Sequence, residues 1–331
     1  MNASSSDFHS REARLFVEKQ TISWEVARNN YSALEKVQTR ELTLRNQKMR
    51  LQYNPARITS STAHIDSASL QARPCFLCAA HRPSQQTAVP FGEDYEILVN
   101  PYPIFPYHLT IPTTAHTPQS ITRRMGTMLQ LARNLEEFVV FYNGPRCGAS
   151  APDHAHFQAG IRSFLPMEEE DEFTGKAAPP PALLSYLSAT LHAYPFHSRP
   201  FFEIRSTEDI PAIYLFSVVY DLLRDYMPPQ PDQATEENAG TPEPMMNLLA
   251  WYIKGQYILR IFPRLRHRPA CYFAEGDARI LLSPGAVDMG GLIAVPQKND
   301  FDRITSTDLE QIFSEVCIHP EQMEELIARI R

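Results

Sequence analysis

No run of about eighteen consecutive apolar residues occurs in this 331-residue chain, so no membrane-spanning helix is predicted. Basic charge is also short: 31 Lys and Arg against 38 Asp and Glu give a formal net charge of -7. That balance excludes broad, sequence-independent binding to a nucleic acid polymer, which needs a basic face. A local basic pocket stays open. The opening residues, MNASSSDFHSREARLF, lack the charged-then-apolar order of a secretory signal. Cysteine is scarce and odd in number, with five in the chain. Two of them, Cys75 and Cys78, lie as Cys-x-x-Cys, a usage that suits a reducing compartment and a metal site better than a disulfide framework. The expectation is a soluble, cytoplasmic protein with one large or two moderate domains.

The first fifty residues are rich in Glu, Arg, Lys and Leu without a proline and read as helix. Lys48 to Tyr53 then alternates like a strand and ends at Asn54-Pro55. Glu96–Val99 and His108–Ile111 are short β-like runs among prolines. Thr117 to Tyr142 has helical spacing, with Ile121, Met125, Met128, Leu129, Ala132, Leu135 and Phe138 on one face. Residues 166 to 200 read as a connector whose acidic run, Glu168 to Glu172, is a solvated loop. A proline- and acid-rich stretch from Met227 to Pro244 reads as a second loop. Tyr257–Phe262, Ala278–Ser283 and Leu292–Val295 read as strands. A helix from Thr307 to Arg331, interrupted near His319-Pro320, closes the chain.

The densest chemistry lies in GPRCGASAPDHAHFQAG, Gly144 to Gly160. On an extended segment His154, His156 and Gln158 share one face, while Ala155 and Phe157 pack inward. The set offers a neutral imidazole as nucleophile, a second imidazole for a metal or a proton, and an amide for a phosphoryl oxygen. Gly148-Ala149-Ser150 adds a flexible turn and a hydroxyl that suit a phosphate. Cys75 and Cys78 can share one tetrahedral metal, for which zinc is the default.

Gly-x-Ser followed by His-x-His-x-Gln resembles the active-site strand of the histidine-triad superfamily. The likeness is greatest to the branch of galactose-1-phosphate uridylyltransferases, diadenosine tetraphosphate phosphorylases and GDP-hexose phosphorylases. Ser283 to Ile304 is similar to a late segment of the GDP-hexose phosphorylases. The resemblance implies an α+β protein of two fused histidine-triad-like halves, with antiparallel sheets and packed helices. Residues 1–200 would form a catalytic half with a zinc site, and 201–331 a degenerate half without the histidine pair.

It also implies residue roles. His156 would attack the α-phosphorus and carry a covalent nucleotidyl group, Gln158 would hold an α-phosphoryl oxygen, and Ser150 would be a second donor. Arg57, after Asn54-Pro55, would reach the substrate's phosphates. The uridylyltransferase likeness points to Cys75, Cys78, His116 and His154 as structural zinc ligands, with His108 the rival of His116. The phosphorylases generally lack that metal site, so the two likenesses diverge there. Lys254, Arg260, Arg264, Arg266 and Arg268 form a basic cluster that could face a second phosphoryl or sugar group. The implied activity is that of a nucleotidyltransferase or phosphorylase acting on a nucleotide-sugar or dinucleoside polyphosphate. Phosphate or a sugar 1-phosphate would be the acceptor, and a homodimer is possible. The alternatives are a nucleotide hydrolase and a non-catalytic nucleotide-binding protein.

Overall fold

A computed structural model describes residues 8–58, 62, 67–227 and 243–330. His64 and most of the Met227–Pro244 stretch lie outside the described residues. The chain opens with α1 (Ser10–Ser23) and α2 (Glu25–Leu34), then leaves helix for a hairpin of β1 (Gln38–Leu44) and β2 (Gln47–Tyr53). The helix expected over the first fifty residues therefore stops before β1. Its alternating Arg40, Leu42 and Leu44 instead answer the strand period, and Arg45 and Asn46 close the hairpin with φ of 45° and 69°, the left-handed pair a two-residue hairpin turn demands.

Ten strands form the main sheet: β3 (Ala88–Phe91), β4 (Tyr95–Val99), β5 (His108–Pro112), β6 (Phe138–Asn143), β7 (His156–Ile161), β8 (Leu184–Tyr186), β9 (Ala189–Tyr194), β10 (Phe201–Ser206), β11 (Met246–Ile253) and β12 (Gln256–Pro263). Their order is β3-β4-β5-β7-β6-β11-β12-β10-β9-β8, and neighbours run antiparallel throughout. The order repeats. Three strands, helix α3 (Met125–Asn134) and two more strands make the first unit; three strands, helix α4 (Asp209–Tyr226) and two more make the second. The units join through β6 and β11, from Asn143↔Asn247 to Val140↔Ala250. Two fused halves of one plan are therefore visible in the topology itself.

A smaller sheet, β1-β2-β13, adds β13 (Leu292–Val295) parallel to β2. It packs with α5 (Ser306–Val316) on one face of the main sheet, through Leu51, Phe141, Leu249, Ile293 and Phe313. Helices α1 to α4 and α6 (Pro320–Ile330) cover the other face around Phe157, Leu248, Leu215 and Met323. Each such fully buried side chain contributes about 1.5–3 kcal/mol. The break between α5 and α6 falls at His319-Pro320 as read. Among the described residues no helix is long and apolar enough to cross a membrane.

Four further readings are corrected. Thr117–Tyr142 is not one helix: α3 begins at Met125 and ends at Asn134, and Phe138–Asn143 is the wholly buried strand β6. Its Phe-Val-Val-Phe run is β-branched and aromatic, which suits a strand buried on both faces. Residues 166–200 hold strands β8 and β9 instead of a plain connector. The acidic run is not simply solvated. Glu168 accepts from the Trp251 indole at 2.9 Å, and Glu170 meets His197 Nε2 at 3.0 Å and Arg260 Nη1 at 3.2 Å. Ala278–Ser283 forms no strand, because its amides bond elsewhere: Leu281 N donates to Asp300 Oδ2 at 2.8 Å.

Candidate active site

His156 opens β7, and His154 sits in the turn just before it. Both are buried. The two rings are held in opposite tautomers, and carbonyl acceptors settle which. A carbonyl can only accept, so the His156 Nδ1 that lies 2.8 Å from His154 O carries the proton, leaving the Nε2 lone pair free. In His154 it is Nε2 that donates, to Thr113 O at 2.7 Å, so its Nδ1 lone pair faces the cysteines. Burial pulls the His156 pKa down to about 4, which keeps its ring neutral at pH 7.

Cys75, Cys78, His116 and His154 bring one ligand atom each to within 4.8 Å of one another. Cys75 Sγ and Cys78 Sγ lie 3.3 and 3.5 Å from His154 Nδ1, and Cys78 Sγ lies 3.2 Å from His116 Nδ1. Around a tetrahedral ion with bonds near 2.3 Å to sulfur and 2.0 Å to nitrogen, S···N separations are about 3.5 Å. The donors fit a metal ion. Asp153 supports them from behind, 2.8 Å from Arg73 Nη2 and 3.8 Å from His116 Nε2. His108 stands apart from this group.

Instead His108 serves Gln158. Its Nδ1 accepts from Ile104 N at 3.2 Å, so its Nε2–H donates to Gln158 Oε1 at 3.1 Å. Asn100 Nδ2 adds a second contact to the same oxygen at 3.4 Å. With its oxygen engaged on both sides, Gln158 turns its amino group toward a pocket on this face of the sheet. Asn143, on β6, is arranged likewise. Its Oδ1 accepts from Ala286 N at 2.7 Å and Asn247 Nδ2 at 2.9 Å, which leaves its own amino group for the pocket it lines.

The pocket is narrow, about 60 Å³, space for a few waters or a phosphoryl group. Arg57 reaches it from the first half, and Arg268, His267, Ser283 and Asp288 from the C-terminal part. Burial raises Asp288 to about 6, tempered by the Gly285 amide, the Arg264 charge and last the Arg57 charge, and burial lowers Arg57 to about 10, tempered by Asp288. Gly148 and Ala149 line the wall, whereas Ser150 does not, and its carbonyl lies 3.5 Å from Arg73 Nη2. A far larger cleft, about 1460 Å³, is lined by Lys48, Glu170, Phe196 and His197. It contains none of the site residues above.

Of the basic cluster, only Arg268 reaches the pocket. Arg260 is buried against Glu203 and Glu170. Arg264 is buried against Asn247, Pro284 and Val316, where it fixes the pocket wall. Lys254 turns the β11–β12 hairpin, and Arg266 is exposed. Asn143, Asn100, Asp288 and the orienting role of His108 were missed in the sequence. Asn143 stands just before the glycine-rich loop and was the one with a readable signal.

A family described as a domain of unknown function, DUF4922, matches residues 16–161. Comparison with curated proteins gives no match. The crystal structure of yeast Ap4A phosphorylase Apa2 is similar over 87% of this chain and 93% of that one, at 15% identity and a TM-score of 0.51. A uridylyltransferase structure is similar over 77% and 94%, at 13% identity and a TM-score of 0.36. An ADP-glucose phosphorylase from Arabidopsis thaliana with bound ADP-glucose is similar over 77% and 98%, at 13% identity and a TM-score of 0.36. The likeness to the yeast enzyme is one of fold, and the fused-halves architecture expected from the histidine-triad resemblance is the fold observed.

Proposed function

We propose that this protein is a nucleotidyltransferase or phosphorylase that works through a nucleotidyl-His156 intermediate. The observation that carries the reading is the His156 ring: its Nδ1 proton is committed to the His154 carbonyl, which leaves Nε2 as the free lone pair, two residues before Gln158 on the same strand. His156 itself stands beside the pocket that Gln158 and Asn143 line and is not part of its wall. In the first step the Nε2 lone pair forms a bond to the α-phosphorus, and the bond from that phosphorus to the leaving phosphate oxygen breaks. The leaving group takes that electron pair. In the second step an acceptor oxygen attacks the same phosphorus, and the P–N pair returns to Nε2.

Gln158 and Asn143 would donate to the α-phosphoryl oxygens, where donors fixed in advance stabilise the charge that builds in the transition state. Arg57 and Arg268 would hold the flanking phosphates, and Ser150 would assist from the loop if it turned inward. The substrate is a dinucleoside polyphosphate or a nucleotide-sugar. The shared fold with a yeast Ap4A phosphorylase makes Ap4A the first to try.

Zinc is the metal we assign to Cys75, Cys78, His116 and His154. Four protein ligands would close its coordination shell, so the ion would fix the segment that carries His156 and would leave no position to activate water. The test of the whole reading is covalent. Ap4A labelled at the α-phosphorus should leave acid-labile label on the wild type and none on His156→Ala. Equal label on that variant would overturn the assignment.

A further inference from the structure

β6 and β7 part company at the catalytic histidine. They pair from Phe138↔Ile161 to Phe141↔Gln158, and two steps further in that register Asn143 would stand opposite His156. The side-chain amide of Gln119 stands there instead. Its Nε2 donates to the carbonyls of Asn143 at 2.9 Å and His156 at 3.0 Å, while its Oε1 accepts from the His156 amide at 2.8 Å. Gln119 is only 3% exposed, and its own backbone N is tied to Pro152 O at 2.9 Å.

Resting on the reading of His156 as the nucleophile, we infer that Gln119 is its positioning residue. One side chain satisfies both backbone groups of His156, work that a neighbouring strand would otherwise do. The imidazole then hangs from two anchors. Gln119 fixes where its Cα sits, and the His154 carbonyl fixes how its ring is turned. A side chain serves better than a strand neighbour here. It keeps β6 one amide's width from β7, so that Asn143 and His156 can present separate groups to one phosphoryl. Gln119 also ends the 113–119 loop that carries His116 and receives Ala155 N on Thr117 O at 2.6 Å. The loop that closes the metal cluster is thus the loop that holds the nucleophile.

Gln119→Met keeps the side chain's length and removes all three bonds; Gln119→Glu keeps the acceptor and removes both donations. Two readouts on the full-length, metal-loaded protein separate positioning from mere support. The first needs no substrate: histidine ring NMR should show a slowly exchanging His156 Nδ1 proton in the wild type that is lost in Gln119→Met. The second is single-turnover labelling with α-labelled Ap4A. It should slow by about a hundredfold, with Ap4A affinity and metal content unchanged. A Gln119→Met protein that keeps both the ring proton and the labelling rate overturns the inference, and the same holds for Gln119→Glu if the methionine variant does not fold. A wild type that never labels overturns the nucleophile instead, and the ring proton still decides whether Gln119 anchors His156.

Discussion

His156 donates its Nδ1 proton to the backbone carbonyl of His154 over 2.8 Å, so a histidine of the candidate metal cluster sets the tautomer of the candidate nucleophile. The same residue faces the cysteines with its ring and its neighbour with its main chain. Any disturbance of the cluster should therefore be felt at His156. Cys75→Ser is the direct probe. It should lower bound zinc well below one equivalent and reduce the melting temperature by about 5 °C or more. Metal analysis and calorimetry on the same preparations read both, and a metal-free wild type of full stability would count against the site.

Gln158 is the second probe, because His108 and Asn100 already fix its oxygen. Gln158→Glu replaces an inward-facing amino group with a carboxylate oxygen, which repels a phosphoryl group. Turnover with Ap4A should fall by about 10²–10³-fold, the cost of one preorganised donor. Steady-state rates against the wild type decide it; a loss confined to KM would reassign Gln158 to ground-state binding.

The third prediction concerns pH. Burial first, and the Arg199 charge second, hold the His197 pKa down at about 4 against 6.5 in an unfolded chain. Its neutral ring bonds Glu170. A depressed histidine contributes stability that is full above pH 6.5 and is lost as pH falls toward 4, because the unfolded chain takes up the proton first. The loss amounts to about 3 kcal/mol at most. His197→Gln cannot titrate, so its denaturation midpoint should decline less than the wild type's over that window. Parallel curves would show that His197 does not carry the acid sensitivity.

What was legible in the sequence was local. His156, Phe157 and Gln158 show their alternation because a strand's period is two, and Cys75 with Cys78 stands out because two thiolates at that spacing can share an ion. The antiparallel pair of halves was legible only by resemblance, since the β6–β11 junction depends on residues a hundred apart. Phe138 was lost to helix because its spacing of three from Leu135 continues the helical face; only the β-branched Val139 and Val140 after it argued otherwise. The acidic run misled because Arg260, ninety residues later, neutralises Glu170 from the buried side. Gln119 gave no signal, for nothing in HTPQSIT marks which strands it will wedge apart.

The last prediction concerns the acceptor. If His156 holds the nucleotidyl group between two half-reactions, the leaving group must depart before the acceptor takes the same in-line position. Initial rates with Ap4A and inorganic phosphate should then follow ping-pong kinetics, with parallel double-reciprocal lines. Attack by phosphate transfers AMP to it and yields ADP from the enzyme-bound adenylyl group, whereas attack by water yields AMP. Glutamine at position 158, with its amino group toward the pocket, offers no base to activate water, so ADP should dominate when phosphate is present and turnover should slow sharply without it. AMP formed at one rate with or without phosphate would favour a hydrolase and overturn the phosphorylase reading.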